Sequence, residues 1–429
     1  MSDILANVKE LISQKKPTWK KGIDYVQYAG PYFSEDEYIA AIETILDGWL
    51  VLGKKGLEFE QAFPKLLGKK YGNFVNSGSS ANLLAVSALA SINKLKKNTK
   101  IITPVSGFPT TINPIIQCGF EPVFVDVEIP SLNMNVEQLD TFENDSIIMF
   151  AHALGNPVDL DSLYEIAKRK NFTIIEDCCD ALESEYNGRK VGSIGQFATS
   201  SFYPAHHITT GEGGFVSSDS SSDTLVVRRL RDWGRDCTCG CKEEALSQEG
   251  ACSNRFSNWL KRLPNEIFDH KYIYSEIGYN LKPIEVQAAI GLAQLKKLNI
   301  IKSKRKHNYE RLYSIFKKYE EFFYLPVTHK KANVNWFAFP LTIKESAPFS
   351  RNHICEYLES HKIQTRPYFA GNILLQPAYS YLANKAKALE YKNATYVTTH
   401  TFFLGVSPVV TDEQIDYIEE IITTYFGDL

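Results

Sequence analysis

Between about residues 75 and 220 the chain alternates short β-rich runs with helical patterns, and this alternation decides most of what it can fold into. The runs "KIITPV", "EPVFVDVE", "SIIMFAHA", "NFTIIEDCC", "ATSSFYP" and "GGFVSSD" each read as a buried or half-buried strand. "DSLYEIAKRK", between two of them, reads as a crossover helix. Such alternation predicts an α/β fold with a mostly parallel sheet covered on both faces. Ligands of such sheets bind beyond the carboxyl ends of the strands, so the residues just after each strand are where chemistry is sought.

The 429 residues predict more than one domain. Residues 1–30 form a helical extension, with Leu5, Val8, Leu11 and Ile12 at helical spacing. Residues 31–300 form a large domain, interrupted by a loop-like, cysteine-rich insertion at 237–270. Residues 301–429 form a smaller α+β domain, with strand candidates in "VNWFAFPLTI" and "THTFFLGV". Helices are expected in "PIEVQAAIGLAQLKKL" and "KSKRKHNYERLYSIFKKYEEF". A net charge of −3 gives no basic face for a nucleic acid, and the runs "KLKKNTK" and "KSKRK" read as solvated helix faces or loops. No apolar stretch is long enough to span a membrane, and the first residues lack the pattern of a secretory signal. The expected location is cytoplasmic. The eight cysteines are then reduced, which favours metal or catalytic use over disulfides.

Three segments carry chemistry. In "NSGSSANLLAVSALA", Gly78 permits a tight turn before a helix whose N-terminal amides suit an anion, usually phosphate; the serines also read as ordinary caps. In "IIEDCCDALES" a strand ends at Asp177, which either pairs with a protonated ring nitrogen of a pyridoxal cofactor or is a solvated or capping acid. In "SFYPAHHITTGEGG" two adjacent histidines, His206 and His207, stand where a strand gives way to a turn.

With these segments, "DGWLVLG", "SGFPTTINP", "GYNLKPIEVQAAIGLAQL" and "TRPYFAGNILLQPAY", nearly the whole chain resembles the DegT/DnrJ/EryC1/StrS family of sugar aminotransferases. The resemblance implies the type I aminotransferase fold. Most members place a lysine at position 206, where it tethers the cofactor covalently; here it is His206. Imidazole makes no such tether but moves protons near neutral pH. The resemblance therefore implies pyridoxamine 5′-phosphate (PMP, or its PLP form) held non-covalently, His206 moving a proton at the cofactor C4′ carbon, and loss of the sugar C3 hydroxyl rather than amino transfer. It further implies that Asp177 pairs with the ring nitrogen, Phe108 stacks on the ring, and Gly78, Ser79 and Ser201 bind the phosphate. Asn280 resembles a residue that reaches the phosphate across a homodimer interface. His207 is left as a structural neighbour.

The cysteines choose between two histidine-bearing branches. One resembles GDP-4-keto-6-deoxymannose 3-dehydratases and carries no metal. The other resembles CDP-4-keto-6-deoxyglucose 3-dehydrases, which hold a [2Fe–2S] cluster on a C-x57-C-x-C-x7-C pattern. Here 57 residues separate Cys179 from Cys237, and one separates Cys237 from Cys239. The fourth ligand is displaced: twelve residues, not seven, lead to Cys252, and Cys241 competes with it. Four thiolates suit an iron–sulfur cluster and also zinc. The cluster reading implies a CDP-linked nucleotide-sugar substrate and an NADH-dependent flavin and iron–sulfur reductase as electron donor, on the route to 3,6-dideoxyhexoses. A cluster-free dehydratase and a non-catalytic nucleotide-sugar binder are the alternatives. Cys178, alternating with Cys179, is expected on the opposite face.

Overall fold

The protein is described by a computed structural model covering residues 2–14, 18–237, 256–257 and 260–427. Seven strands form the central sheet: β1 Tyr71–Val75, β2 Lys100–Pro104, β3 Glu121–Val125, β4 Ile147–Ala151, β5 Thr173–Asp177, β6 Phe197–Ser201 and β7 Gly214–Ser218. Their order is β1-β7-β6-β5-β4-β2-β3. All neighbours from β6 to β3 run parallel, and β7 alone runs against both of its neighbours. The architecture is thus α/β with a mostly parallel sheet, as the alternation predicts. The six strands read from the sequence all belong to it. The seventh, "YGNFV", escapes a pattern search because Gly72 and Asn73 interrupt its apolar character.

Both faces are covered, and residues alternate between them. Ile147, Met149, Ile175 and Phe197 pack under the helix Gly78–Asn93, against Ala81, Leu84, Ala85 and Leu89. Ile148, Phe150, Ile174 and Ala198 face the other core, where Phe59, Phe63, Phe74, Phe202 and Phe215 interlock. Ring centroids there lie 4.9 Å apart for Phe59–Phe74 and 4.7 Å for Phe63–Phe215.

A second, antiparallel sheet follows in the order β8-β9-β11-β10, with β8 Phe323–Tyr324, β9 Ala338–Ile343, β10 Arg366–Pro367 and β11 Thr401–Gly405. Its core joins Phe316, Phe339, Leu341, Phe402, Leu404 and Ile418. The helix Ser2–Gln14 contacts the helix Glu35–Asp47, whereas Val26 bridges to Ile363 and packs into the core of the second sheet.

One reading of the sequence needs correction. "KSKRK" is not wholly a solvated face: Arg305 is 1% exposed within the helix Leu298–Lys317. Its guanidinium donates to the carbonyls of Phe337 and His206, each at 3.0 Å. Lysine and arginine stems look alike in a charge count, but the guanidinium holds its donors in a rigid planar fork, which here reaches the Phe337 and His206 carbonyls together.

Within β5, Glu176 is fully buried. It accepts from the backbone N–H groups of Gly192, Ile194 and Gly195 at 3.0, 2.8 and 2.6 Å, and from His152 Nε2 at 3.3 Å. Burial pushes this carboxyl up, but His152 and the amides outweigh it and hold it below the usual range. The stability it lends is therefore present above the unfolded-state pKa and is lost as pH falls through the native one. Glu176→Ala, which strands those donors, is expected to destabilise the fold by about 3–5 kcal/mol. An unchanged urea midpoint would contradict this.

Candidate active site

The carboxyl ends of β1, β2, β5 and β6 open into one cavity of about 1190 Å³. Asp177, Phe108, Gly78, Ser79, Ser201, Cys179 and His206 all line it. Residues as far apart as 78 and 206 meet there because parallel strands deliver their ends to one edge of the sheet.

Asp177 ends β5 and is 4% exposed. Its Oδ2 accepts from Asn82 Nδ2 and Thr111 Oγ1, both at 2.8 Å, and its Oδ1 from the Cys179 N–H at 3.1 Å. Thr199 Oγ1 in turn donates to Asn82 Oδ1 at 2.5 Å, which fixes the amide so that its NH₂ faces the carboxylate. The result is a rigid anion aimed into the cavity, suited to a protonated ring nitrogen. Asn82, Thr111 and Thr199 are missed from sequence; the only hint is that polar side chains fall on otherwise apolar stripes.

The helix Gly78–Asn93 begins at the cavity wall. Ser77 caps it, its Oγ accepting from the Ser80 N–H at 3.1 Å. The capping reading therefore holds for Ser77, while the amides of Gly78 and Ser79 are left as the donors that a helix start cannot satisfy internally. A Cβ on Gly78 would stand 2.4 Å from Ser201 Cβ, so glycine is required for the helix start to approach β6 this closely. Two amides beside the Ser201 hydroxyl are donors that could hold a phosphate.

Phe108 precedes the helix Pro109–Gln117 and is half exposed on the cavity side. Its ring stands nearly perpendicular to that of Phe369, with centroids 5.6 Å apart. His206 follows β6. Its Nδ1 lies 3.4 Å from Asp180 Oδ1, within ion-pair reach but without hydrogen-bond alignment. Its backbone is held at both ends: the N–H donates to the Tyr203 carbonyl at 2.9 Å, and the carbonyl accepts from Arg305. Burial raises the Asp180 carboxyl, with the adjacent His206 pulling the other way. Among the described residues lining the cavity there is no lysine.

His207 turns away from the cavity. It is 3% exposed, and its Nε2 donates to the Asn335 carbonyl at 2.9 Å. Burial, then the Arg305 charge, hold its pKa well below the ordinary value, so it stays neutral. Two adjacent histidines thus have opposite surroundings.

Cys178 and Cys179 part in the same way. Cys178 belongs to the apolar core and Cys179 lines the cavity. Burial, then the Asp177 charge, push the Cys179 thiol up. Cys237 lies at the edge of the described chain, half buried. Cys239, Cys252 and the competing Cys241 lie outside the described residues. Asn280 is exposed and does not line the cavity of its own chain; its Oδ1 accepts from Lys282 Nζ at 2.7 Å.

The chain was compared with known proteins by sequence and by structure. A model of the DegT/DnrJ/EryC1/StrS aminotransferase family matches residues 32–423. Lipopolysaccharide biosynthesis protein RfbH of Salmonella typhimurium is 39% identical, over 100% of this chain and 97% of its own. The dTDP-4-dehydro-2,6-dideoxy-D-glucose 3-dehydratase of Saccharopolyspora spinosa is 40% identical, over 98% of this chain and 91% of its own. Among solved structures, the Escherichia coli GDP-4-keto-6-deoxy-D-mannose-3-dehydratase with bound hydrated PLP superposes with a TM-score of 0.78 at 28% identity, covering 93% of this chain and 99% of that one.

Proposed function

The chain belongs to the DegT/DnrJ/EryC1/StrS aminotransferase family, and on that premise we propose that it removes the C3 hydroxyl of a nucleotide-linked 4-keto-6-deoxyhexose with the help of non-covalently held PMP. One observation carries the reading: the cavity that holds Asp177 and the Gly78–Ser79 helix start presents His206, and no lysine, among its described lining. A pyridoxal-family cofactor fits this donor set. Asp177 would hold the ring nitrogen, Phe108 would stack on the ring, and Gly78, Ser79 and Ser201 would hold the phosphate. When bound, the cofactor supplies an electron sink for the carbon beside its ring.

The chain's own residues then act as follows. Arg305 and Tyr203 fix the backbone of His206, so that the imidazole is presented to the cavity. His206 takes the proton from the cofactor C4′ carbon. Asp180, 3.4 Å away, favours the imidazolium that results. The aromatic wall of Phe108, Phe337 and Phe369 limits water around the reacting carbon.

We further propose a [2Fe–2S] cluster on Cys179, Cys237, Cys239 and Cys252, passing electrons singly from an NADH-dependent flavin and iron–sulfur reductase towards a 3,6-dideoxy product. Support comes from the cysteine spacing and from the place of Cys179 on the cavity wall beside Asp180. A metal would also offset the burial that now keeps that thiol protonated. Cys239→Ser is expected to strip iron and acid-labile sulfide while leaving PMP bound. Zinc without iron in the anaerobically purified wild type would remove the cluster and leave a cluster-free dehydratase, 3-dehydratase being the activity named for the E. coli relative.

The proposed substrate is CDP-linked, and the proposed setting is the cytoplasm; among the described residues no helix is long and apolar enough to cross a membrane. A homodimer completes the proposal, with Asn280 serving the neighbouring copy. Its exposure, outside its own cavity, is in keeping with that role. Light scattering that finds only monomer at working concentration would overturn the dimer.

A further inference from the structure

Phe369 holds a backbone conformation that its side chain resists. Its φ is 45°, in the left-handed region where a Cβ crowds the chain and glycine is the usual occupant. Outliers of this kind persist only where the surroundings over-determine them, and here they do. Phe369 lies in the segment that follows β10, and its N–H donates to the Pro367 carbonyl at 2.7 Å. Two residues on, Gly371 also has a positive φ, of 60°, and a Cβ there would stand 2.5 Å from Thr398 Oγ1. Asn372, fully buried, pins the turn. Its Nδ2 donates to the Ala388 carbonyl at 2.8 Å, its Oδ1 accepts from the Leu374 N–H at 3.1 Å, and its own N–H donates to Thr398 Oγ1 at 2.7 Å.

The same segment is stitched to the chain that leaves β2. The Ile373 N–H donates to the Val105 carbonyl at 2.9 Å and the Ala370 N–H to the Gly107 carbonyl at 3.2 Å, with Ser106 bridged antiparallel to Asn372 between them. Residues 105–107 lead directly into Phe108. This strap from the second sheet thus runs beside the approach to Phe108 and brings Phe369 against its ring, at an interplanar angle of 86°. Among the described residues Phe369 is the single aromatic side chain in ring contact with Phe108, which is otherwise half exposed. Phe369 is itself braced by Tyr368, Phe403 and Phe337, with centroids 5.2, 5.9 and 6.2 Å away. A braced ring in edge-to-face contact with a half-exposed one restricts how the exposed partner can turn.

We infer that Phe369 is a positioning residue: it aims the Phe108 ring at the cofactor, and its left-handed backbone exists to put it there. A relaxed φ would redirect the Cα–Cβ bond at 369 and with it the ring. The inference rests on the stacking role proposed for Phe108.

The test is a double-mutant cycle read by cofactor binding. Wild type, Phe369→Leu, Phe108→Ala and the double variant are titrated with PLP, and the circular dichroism of the bound cofactor reports both its Kd and the setting of its ring. Phe369→Leu should weaken PLP about 3- to 10-fold, the worth of one edge-to-face pair, and change the intensity of the cofactor band. Added to Phe108→Ala, the same substitution should change neither, because its route to the cofactor is gone. Phe369→Gly takes the left-handed turn freely, so its apoprotein should show a higher urea midpoint than Phe369→Ala while binding PLP as weakly as Phe369→Leu. Wild-type affinity and band in Phe369→Leu, with Phe108→Ala still weakened, overturn the inference alone. Additive losses in the double variant overturn it as well, since Phe369 would then act on the cofactor without Phe108. A glycine midpoint at or below that of Phe369→Ala removes the strain and overturns the aiming role. If Phe108→Ala binds PLP as wild type does, the stacking reading falls and the inference falls with it.

Discussion

His206→Asn is expected to lower turnover by a factor on the order of 10²–10⁴, with the fold and cofactor binding retained. The reason lies in the other titratable groups of the cavity. Burial pushes Tyr368 far upward, so it keeps its proton at neutral pH, and Cys179 is assigned to the cluster in this account. Asp177 is committed to Asn82, Thr111 and an amide. Asp180 stands behind the imidazole and acts through it. His206 presents its imidazole to the cavity, the side-chain type best suited to moving a proton there. His206→Lys should also lose dehydration, and it should tether the cofactor covalently with absorbance in the visible. Steady-state rates read both variants. Turnover within a few-fold of wild type in His206→Asn would remove the proton-moving role.

Asp177→Asn is expected to lower turnover by about 10³-fold. An opposite charge near a ring nitrogen is worth roughly 4 kcal/mol at the effective dielectric of a protein, and each 1.36 kcal/mol is a factor of ten in rate. The shell around the carboxylate magnifies the loss. Asn82 and Thr111 both donate to Oδ2, and the Cys179 N–H donates to Oδ1. An asparagine must therefore set its own NH₂ against one of these donors. A near-native circular dichroism spectrum with a 10³-fold lower rate would support this account. A rate within tenfold of wild type would show that the ring nitrogen does not depend on this anion.

The contrast between the two histidines marks the reach of sequence reasoning. Period-two alternation places Cys178 and Cys179 on opposite faces, and the structure does so. The strand end at Asp177 was legible from the turn residues that follow it, whereas the strand read in "ATSSFYP" stops earlier, at Ser201. His206 and His207 lie after the strand, in a turn with no period. Only the structure shows that one faces the cavity and the other bonds Asn335. Supporting groups were illegible because their partners are distant in the chain. Arg305 serves the His206 carbonyl across 99 positions, and Asn82 serves Asp177 across 95.

The most direct test of the central claim is intact mass after borohydride treatment. The wild type is loaded with PLP, reduced, then unfolded and weighed beside His206→Lys treated identically. The account predicts that the wild-type chain keeps its own mass, its cofactor lost on unfolding, while the lysine variant gains one reduced cofactor. A wild-type chain that carries a covalently reduced cofactor on any residue would contradict it.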